Sequence, residues 1–384
     1  MSKKILYVVN APRYFVSHRL PIAKKSLELG FKVHVASNIE NEADVEAVRL
    51  ISDLGMTYHD RIVTRGDGGV MNEVKSLVSC YLLVRRLSPD MLHLITLKPL
   101  LYGSLVARAL GIKNVVAAVA GLGTLFVTSN MKSIVQRHLV VNLLRLGLKR
   151  NSVRVIFQNE QDLNDLERMG IVNEVQSRLI RGSGVPLDKY CYEPEPTSHP
   201  VVIMAARLIK EKGVLEFVEA AQILVDRGVR VEMRLLGDID KSNPSSLTSE
   251  EYKELKCNAN IVLKGYRNNI ADEYKLANIV CLPSYREGLP KSLIEAAACG
   301  RAVVTTDVPG CRDAIIPDRT GVLVPVRDSI ALADAIQRLI ENDSLRQSMG
   351  LAGRQLAERM FDIRAVVHKH IDIYRELMGA PDDG

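Results

Sequence analysis

The 384-residue chain has no tryptophan and only six phenylalanines. That removes the aromatic platforms on which bases of single-stranded nucleic acid stack, and no nucleic-acid partner is expected. Nowhere does the sequence reach the ~18 uninterrupted apolar residues of a spanning helix, so any membrane contact is expected to be peripheral. Its six cysteines, Cys80, Cys191, Cys257, Cys281, Cys299 and Cys311, show no Cys-x-x-Cys spacing and no accompanying histidine cluster. Neither a disulfide framework nor a zinc site is expected on that pattern. The apolar run 5–9 is cut off by Asn10, Pro12 and Arg13, too early for a signal peptide. It reads as a first strand, and the expected location is cytoplasmic.

What is present is an uneven charge. Residues 1–190 hold 26 Lys and Arg against 16 acids, and residues 191–384 hold 25 against 29. Between Asp90 and Glu160 lie 69 consecutive residues without an acid but with nine bases: Lys98, Arg108, Lys113, Lys132, Arg137, Arg145, Lys149, Arg150 and Arg154. Two readings stand: a solvated basic face, or a surface that meets something anionic. Within this stretch, residues 131–150 interleave Ile134, Leu139, Val140, Leu143, Leu144 and Leu146 with Lys132, Arg137, Arg145, Lys149 and Arg150. Such a basic amphipathic helix either lies in a membrane interface or turns its apolar side to a core.

The length exceeds what one core usually supports, and two domains are expected. Short apolar runs at 5–9, 32–36, 91–96, 115–119 and 153–157 alternate with segments of helical length, beginning with 18–29. That is the pattern of a parallel sheet wrapped by helices. Residues 191–200 contain three prolines and no periodicity, as a linker would. A second series then follows: strands at 201–205, 230–236, 261–263, 279–282 and 302–305, helices at 214–227 and 292–299, and a terminal helical pattern over 353–378. The expected division is 1–190, 191–355 and 356–384, an α/β chain of two doubly wound units with the last helix strapping them. In such sheets ligands collect outside the carboxyl ends of strands, which for two facing units means the cleft between them.

Residues 284–295 set Glu287 and Glu295 eight positions apart across a strand-to-helix junction, with Gly288, Leu289 and Pro290 in the turn. The helix start presents unpaired N–H groups that favour phosphate, and the two carboxylates are acceptors for hydroxyls. Hydroxyls plus phosphate describe a sugar nucleotide. After strand 201–205, Arg207 and Lys212 form an R-x4-K pair, a planar fork and a mobile point charge able to clamp a diphosphate without a metal.

The combined pattern resembles family 4 of the retaining nucleotide-sugar glycosyltransferases, whose GT-B fold is two facing Rossmann-like domains. The likeness runs through Gly182-Ser-Gly-Val185, Arg207 with Lys212, Gly237, Gly265-Tyr266, the E-x7-E of Glu287 and Glu295, Ala298-Cys-Gly300 and Pro309-Gly310. It implies an acceptor-binding, membrane-facing first domain and a donor-binding second one. Arg207 and Lys212 would hold the donor diphosphate, Glu295 the ribose hydroxyls and Glu287 the sugar, with the amides of Gly288 and Leu289 nearby. Gly265, Tyr266 and Arg267 would form the base-binding loop. No cofactor and no metal are implied, nor any side-chain nucleophile.

More narrowly, Phe15-Val-Ser-His-Arg-Leu-Pro21 and the segment 119–126 are similar to bacterial enzymes that extend polyprenyl-diphosphate-linked glycans, N-acetylgalactosaminyltransferases among them. This implies transfer from UDP-N-acetylgalactosamine or a related UDP-hexose, by an enzyme held peripherally at the cytoplasmic face of the inner membrane. The chain departs from the family at Asn10-Ala11-Pro12-Arg13, where many members have a glycine pair. Arg13, His18 and Arg19 are therefore candidates for donor or acceptor phosphate, with a structural role open for His18. It departs again at Ala120-Gly121, where many carry a histidine or acid. Gly121 and Gly123 suit a close approach to a sugar or acceptor. Phe126 stands where a third glycine would complete a dinucleotide fingerprint, which argues against a nicotinamide site. A sugar-nucleotide epimerase of the same architecture and a non-catalytic sugar-nucleotide-binding subunit are the alternatives.

Overall fold

A computed structural model describes residues 2–60, 69–121, 131–240, 243 and 245–379. The chain divides into two compact units, Met1–Ser183 with Arg364–Gly384, and Gly184–Ile363. The division therefore falls a few residues from the linker-based one: 184–190 and 356–363 pack with the second unit, and the last helix packs with the first.

The first unit is a seven-stranded sheet in the order β3-β2-β1-β4-β5-β6-β7, every pairing parallel. Its strands are β1 (Lys4–Val8), β2 (Lys32–Ala36), β3 (Thr57–His59), β4 (Met91–Ile95), β5 (Asn114–Val119), β6 (Val153–Phe157) and β7 (Ser177–Leu179). The central strands are nearly continuous apolar runs because both faces of the sheet are covered. On one face lie α4 (Gly69–Leu87), α5 (Leu97–Ala109) and α6 (Met131–Leu148), which share a core with Leu6, Val8, Leu92 and Leu94. On the other, α1 (Pro12–His18), α2 (Leu20–Glu28) and α14 (Ile363–Met378) cover Ile5, Tyr7, Met91 and Ile95.

The helix expected over 18–29 is α2, Leu20–Glu28, with Pro21 in its first turn; a separate helix, α1, precedes it, and the two break at Arg19 (φ −128°, ψ −13°). Proline's missing N–H is harmless there, since no intrahelical partner exists in a first turn. The terminal helical pattern is likewise two helices, α13 (Asp343–Met360) and α14, parted at Phe361 and Asp362. The Phe361 carbonyl accepts from Val185 N at 2.7 Å and Ile363 N donates back to the Val185 carbonyl at 3.1 Å. That bridge takes the two groups out of any helical ladder.

The second unit holds a six-stranded parallel sheet, β10-β9-β8-β11-β12-β13. Its strands are β8 (Val201–Ala205), β9 (Glu232–Leu236), β10 (Val262–Gly265), β11 (Ile279–Leu282), β12 (Ala302–Thr306) and β13 (Gly321–Val324). Around it pack α8 (Val214–Asp226), α9 (Ser249–Cys257), α10 (Ile270–Lys275), α11 (Lys291–Ala298), α12 (Ser329–Ile340) and α13. The proline-rich segment 191–200 is pinned to this unit. Buried Arg346 on α13 donates to both carboxylate oxygens of Glu195, at 2.7 and 2.9 Å, and Asn278 Nδ2 donates to the Pro196 carbonyl. Among the described residues no helix is long and apolar enough to cross a membrane.

Candidate active site

Because every pairing in the second sheet is parallel, the loops after β8, β9, β11 and β12 all leave it at one end, the carboxyl ends of the strands. The loop after β8 ends in a single 3-10 turn, Lys210–Lys212. It is tied to the loop after β11 by two bonds into the Glu211 carbonyl, from Tyr285 N at 2.8 Å and Ser284 Oγ at 2.9 Å. Across this joint Lys212 Nζ donates to Glu287 Oε1. Ser284 Oγ lies 2.7 Å from the same carboxylate oxygen, so its one proton is shared between Glu287 and the Glu211 carbonyl. The side chains are only 20% exposed for Lys212 and 11% for Glu287, so water screens this pair less than it would a surface ion pair. The R-x4-K and E-x7-E patterns, 75 residues apart in sequence, thus meet in one ion pair.

Tyr285 braces the same loop. Its hydroxyl donates to Glu216 Oε1 on α8, and the Arg327 guanidinium lies 4.7 Å from its ring centre. Burial and the Glu216 carboxylate push the phenol up to about 12, which keeps it a donor at neutral pH.

Arg207 is exposed and pairs with Asp240 Oδ2 at 2.8 Å. The aspartate anchors one edge of the fork in the loop after β9. Gly237, expected to approach a ligand, has a reason inside the fold. Its φ is +135°, and a Cβ there would sit 1.9 Å from the Ala206 carbonyl oxygen. Only glycine lets these two loops touch. Beyond β10, Tyr266 is exposed and its amide donates to Asp238 Oδ2 at 3.3 Å, while Arg267 pairs with Glu273 at 3.2 Å.

Helix α11 starts at Pro290 with no side-chain cap and no acid in its first turn. Its positive end is therefore suited to an external anion. Leu289 is buried and seats this start in the core. Glu295, one turn on, is buried and belongs to a separate group of side chains. Lys291 Nζ lies 3.3 Å from its Oε1, and the Tyr190 hydroxyl bonds the same carboxylate. Burial and Glu295 together push the Tyr190 phenol up, so it stays protonated. Asp240, Ser284, Tyr285 and Tyr190 carried no signal of a site role in the sequence. Lys291 at four residues from Glu295 was the one legible pair.

In the first unit Arg13 NH1 is paired with fully buried Asp44 at 3.2 Å, and His18 stacks on Tyr14 with ring centres 4.1 Å apart. Arg19, expected to bind phosphate, is instead 1% exposed. It donates to the His18 carbonyl at 3.0 Å and has no ion pair among the described residues. It sits near Tyr7, His93, His370 and Tyr374 under α14. Burial and then the Arg19 charge hold His93 well below its usual value and His370 down to about 3. Gly121, two residues past β5, has φ +102°, and Gly123 lies outside the described residues, as does the Lys132 side chain. On α6 and just past it the expected membrane cations are partly spent on backbone. Arg145 donates to the Met169 carbonyl at 2.8 Å and Arg150 to that of Ile112 at 3.1 Å. Arg137 is half-buried and Lys149 exposed.

The chain is similar to known proteins over both units. The family model described as "Glycosyl transferase 4-like" matches residues 4–159, and "Glycosyl transferases group 1" matches 193–356. The N,N'-diacetylbacillosaminyl-diphospho-undecaprenol alpha-1,3-N-acetylgalactosaminyltransferase of Campylobacter jejuni is 27% identical, over 86% of this chain and 88% of its own. The UDP-Gal:alpha-D-GlcNAc-diphosphoundecaprenol alpha-1,3-galactosyltransferase of Escherichia coli is 24% identical, over 80% and 81%. Among solved structures, the sucrose-phosphate synthase of Thermosynechococcus elongatus superposes with a TM-score of 0.79 at 20% identity, covering 99% of this chain and 100% of that one.

Proposed function

Because this chain belongs to the glycosyltransferases, with a 4-like domain followed by a group 1 domain, we propose that it is a retaining, metal-independent member of family 4. It moves N-acetylgalactosamine, or a related hexose, from a UDP-sugar to a polyprenyl-diphosphate-linked saccharide at the cytoplasmic face of a membrane. The observation that carries the donor site is the Lys212–Glu287 ion pair, which joins the two motif halves at the carboxyl ends of the strands. Two relatives with undecaprenyl-diphosphate acceptors, each matched over four fifths of its length or more, support the acceptor class. The E. coli relative's UDP-galactose donor supports the nucleotide.

In this reading Arg207 and Lys212 take the donor diphosphate, and their charge offsets the negative charge that grows as the sugar departs. Glu287, held by Ser284, orients Lys212 and accepts from the sugar hydroxyls. The acceptor oxygen bonds to the anomeric carbon on the face the diphosphate leaves. The carbon–oxygen bond to phosphate breaks, and the acceptor proton passes to the departing phosphate oxygen. No side chain is alkylated, and configuration is retained.

Purified protein given UDP-N-acetylgalactosamine and an undecaprenyl-diphosphate-linked saccharide is expected to form an α-linked product at the same rate with and without EDTA. Isomerised donor without acceptor would instead identify an epimerase, and a rate abolished by EDTA would remove the metal-independent clamp. Glu295→Gln is expected to weaken UDP binding by about tenfold, the order of one hydrogen bond to a charged group. The amide keeps the side chain's shape beside Tyr190 and Lys291. Unchanged UDP affinity by titration calorimetry would rule out its ribose role.

A further inference from the structure

Tyr190 precedes the proline-rich segment and belongs to the core of the second unit. Its main chain is held on both sides. The amide donates to the Pro186 carbonyl at 3.0 Å, and the carbonyl accepts from Arg354 NH1 on α13 at 2.8 Å. The same guanidinium nitrogen donates at 2.8 Å to the carbonyl of Ala298, the last residue of α11. One arginine therefore fixes both the segment that carries Tyr190 and the helix that carries Glu295.

The Tyr190 side chain is buried, and packing alone would be served as well by phenylalanine. What the hydroxyl adds is its bond to the Glu295 carboxylate. Buried phenol oxygens usually find a partner, and here the partner is one of the two site carboxylates. Burial and then the Glu295 charge push up the neighbouring Tyr274 phenol of α10 as well. Both phenols stay protonated, so Tyr190 remains a donor to Glu295 at working pH.

A glutamate needs such a donor if it is to present its oxygens in one orientation. Its last torsion has no sharp preference. Lys291, 3.3 Å away on the same helix, is a mobile point charge and does not define the carboxylate plane. A tyrosine has only two side-chain torsions, and those of Tyr190 are set by a buried ring on a tethered backbone.

We propose that Tyr190 is a positioning residue that makes the nucleotide site selective for ribose: its hydroxyl holds the Glu295 carboxylate so that the remaining lone pairs take the 2′- and 3′-hydroxyls. A carboxylate offers about four acceptor positions, so the Tyr190 and Lys291 contacts leave room for both. A nucleotide without those hydroxyls leaves buried acceptor positions unfilled, the situation in which a site discriminates most strongly against an analogue. The inference rests on the ribose role given to Glu295 above and adds the group through which that role is exerted.

The test is titration calorimetry of the full chain with UDP and with 2′,3′-dideoxy-UDP. Wild type is expected to prefer UDP by about tenfold or more. Tyr190→Phe keeps the ring and removes the bond. It is expected to bind UDP about three- to tenfold more weakly, the net worth of one hydrogen bond, and to bind the dideoxy nucleotide as wild type does. Placed in a Glu295→Gln background, the same substitution should add less than about twofold, since both act on one interaction. In steady-state assays the Tyr190→Phe loss should fall on KM for the UDP-sugar rather than on kcat. Tyr7→Phe, an equally buried phenol of the first unit, is the control and should leave both affinities as they are. Tyr190→Phe that binds UDP like wild type, that weakens both nucleotides alike as a loosened fold would, or whose loss adds in full to that of Glu295→Gln would overturn the proposal. Wild type that binds the two nucleotides equally would overturn the ribose role of Glu295 itself, and the proposal with it.

Discussion

Lys212→Ala is expected to lower kcat by about 10²–10³-fold, the cost of removing one preorganised partner of charge that develops in a transition state. The substitution has a second consequence that must be separated from the first. Glu287 is nearly buried and, among the described residues, would keep the Ser284 hydroxyl alone as a side-chain partner, at a cost to stability of about 1–3 kcal/mol. A chain of this size should remain folded after that loss. The double variant Lys212→Ala/Glu287→Gln tells the two effects apart. If the lysine serves only to neutralise Glu287, removing the carboxylate charge restores activity; if it serves the diphosphate, activity stays low while stability recovers. Arg207→Ala gives an independent reading. Arg207 is exposed and, among the described residues, is held by Asp240, so its loss should leave stability within about 0.5 kcal/mol and still reduce turnover by about 10²-fold. Wild-type rates in Arg207→Ala and in the double variant would leave the clamp without support.

The parallel-sheet architecture was legible because strands buried on both faces must be short, apolar and β-rich, and 32–36, 153–157, 201–205 and 279–282 are all of these. Edge strands have one neighbour and need less: Thr57–His59 and Ser177–Leu179 are three residues each and largely polar, and periodicity does not reveal them. The helix breaks at Arg19 and Phe361 were also hidden. Each depends on a partner distant in sequence or on backbone geometry, and a local 3.6-residue pattern continues through both.

The site was legible in its charged residues and not in what holds them. Arg207, Lys212, Glu287 and Glu295 stood out by type and spacing. Asp240, Ser284, Tyr285 and Tyr190 did not, since a supporting hydroxyl or acid is meaningful only once the loops carrying it lie together. Arg19 shows the opposite failure. An arginine in a helix-start motif reads as a phosphate ligand, yet the helix break turns it inward beneath α14. Burial of a cation with no ion pair among the described residues is costly, and nothing in the sequence around it signals that cost.

Gly310→Ala tests how far the fold itself sets the geometry of Glu287. Gly310 follows β12 with φ +80°, and an added Cβ would stand 2.4 Å from the Gly288 carbonyl oxygen and 2.6 Å from that of Glu287. Both obstacles are backbone, so a flexible side chain cannot yield to make room. The strained φ alone costs about 1–2 kcal/mol for a residue with a Cβ. The larger effect is displacement. To clear a methyl group, the 287–288 loop must move away from β12, and with it the carboxylate that Lys212 and Ser284 grip and the start of α11 two residues on. A misplacement of ~1 Å at a reacting site costs about 10²-fold in rate, so kcat/KM is expected to fall by at least that much, with UDP affinity reduced as well. Thermal unfolding of the variant should still be cooperative, because β12 and α11 are anchored by Val303, Val304, Leu293 and Ile294 in the core. Near-normal turnover in a folded Gly310→Ala protein would mean that the Glu287 loop finds its working position only when donor binds, and that the close approach of the two loops is a property of the unliganded site alone.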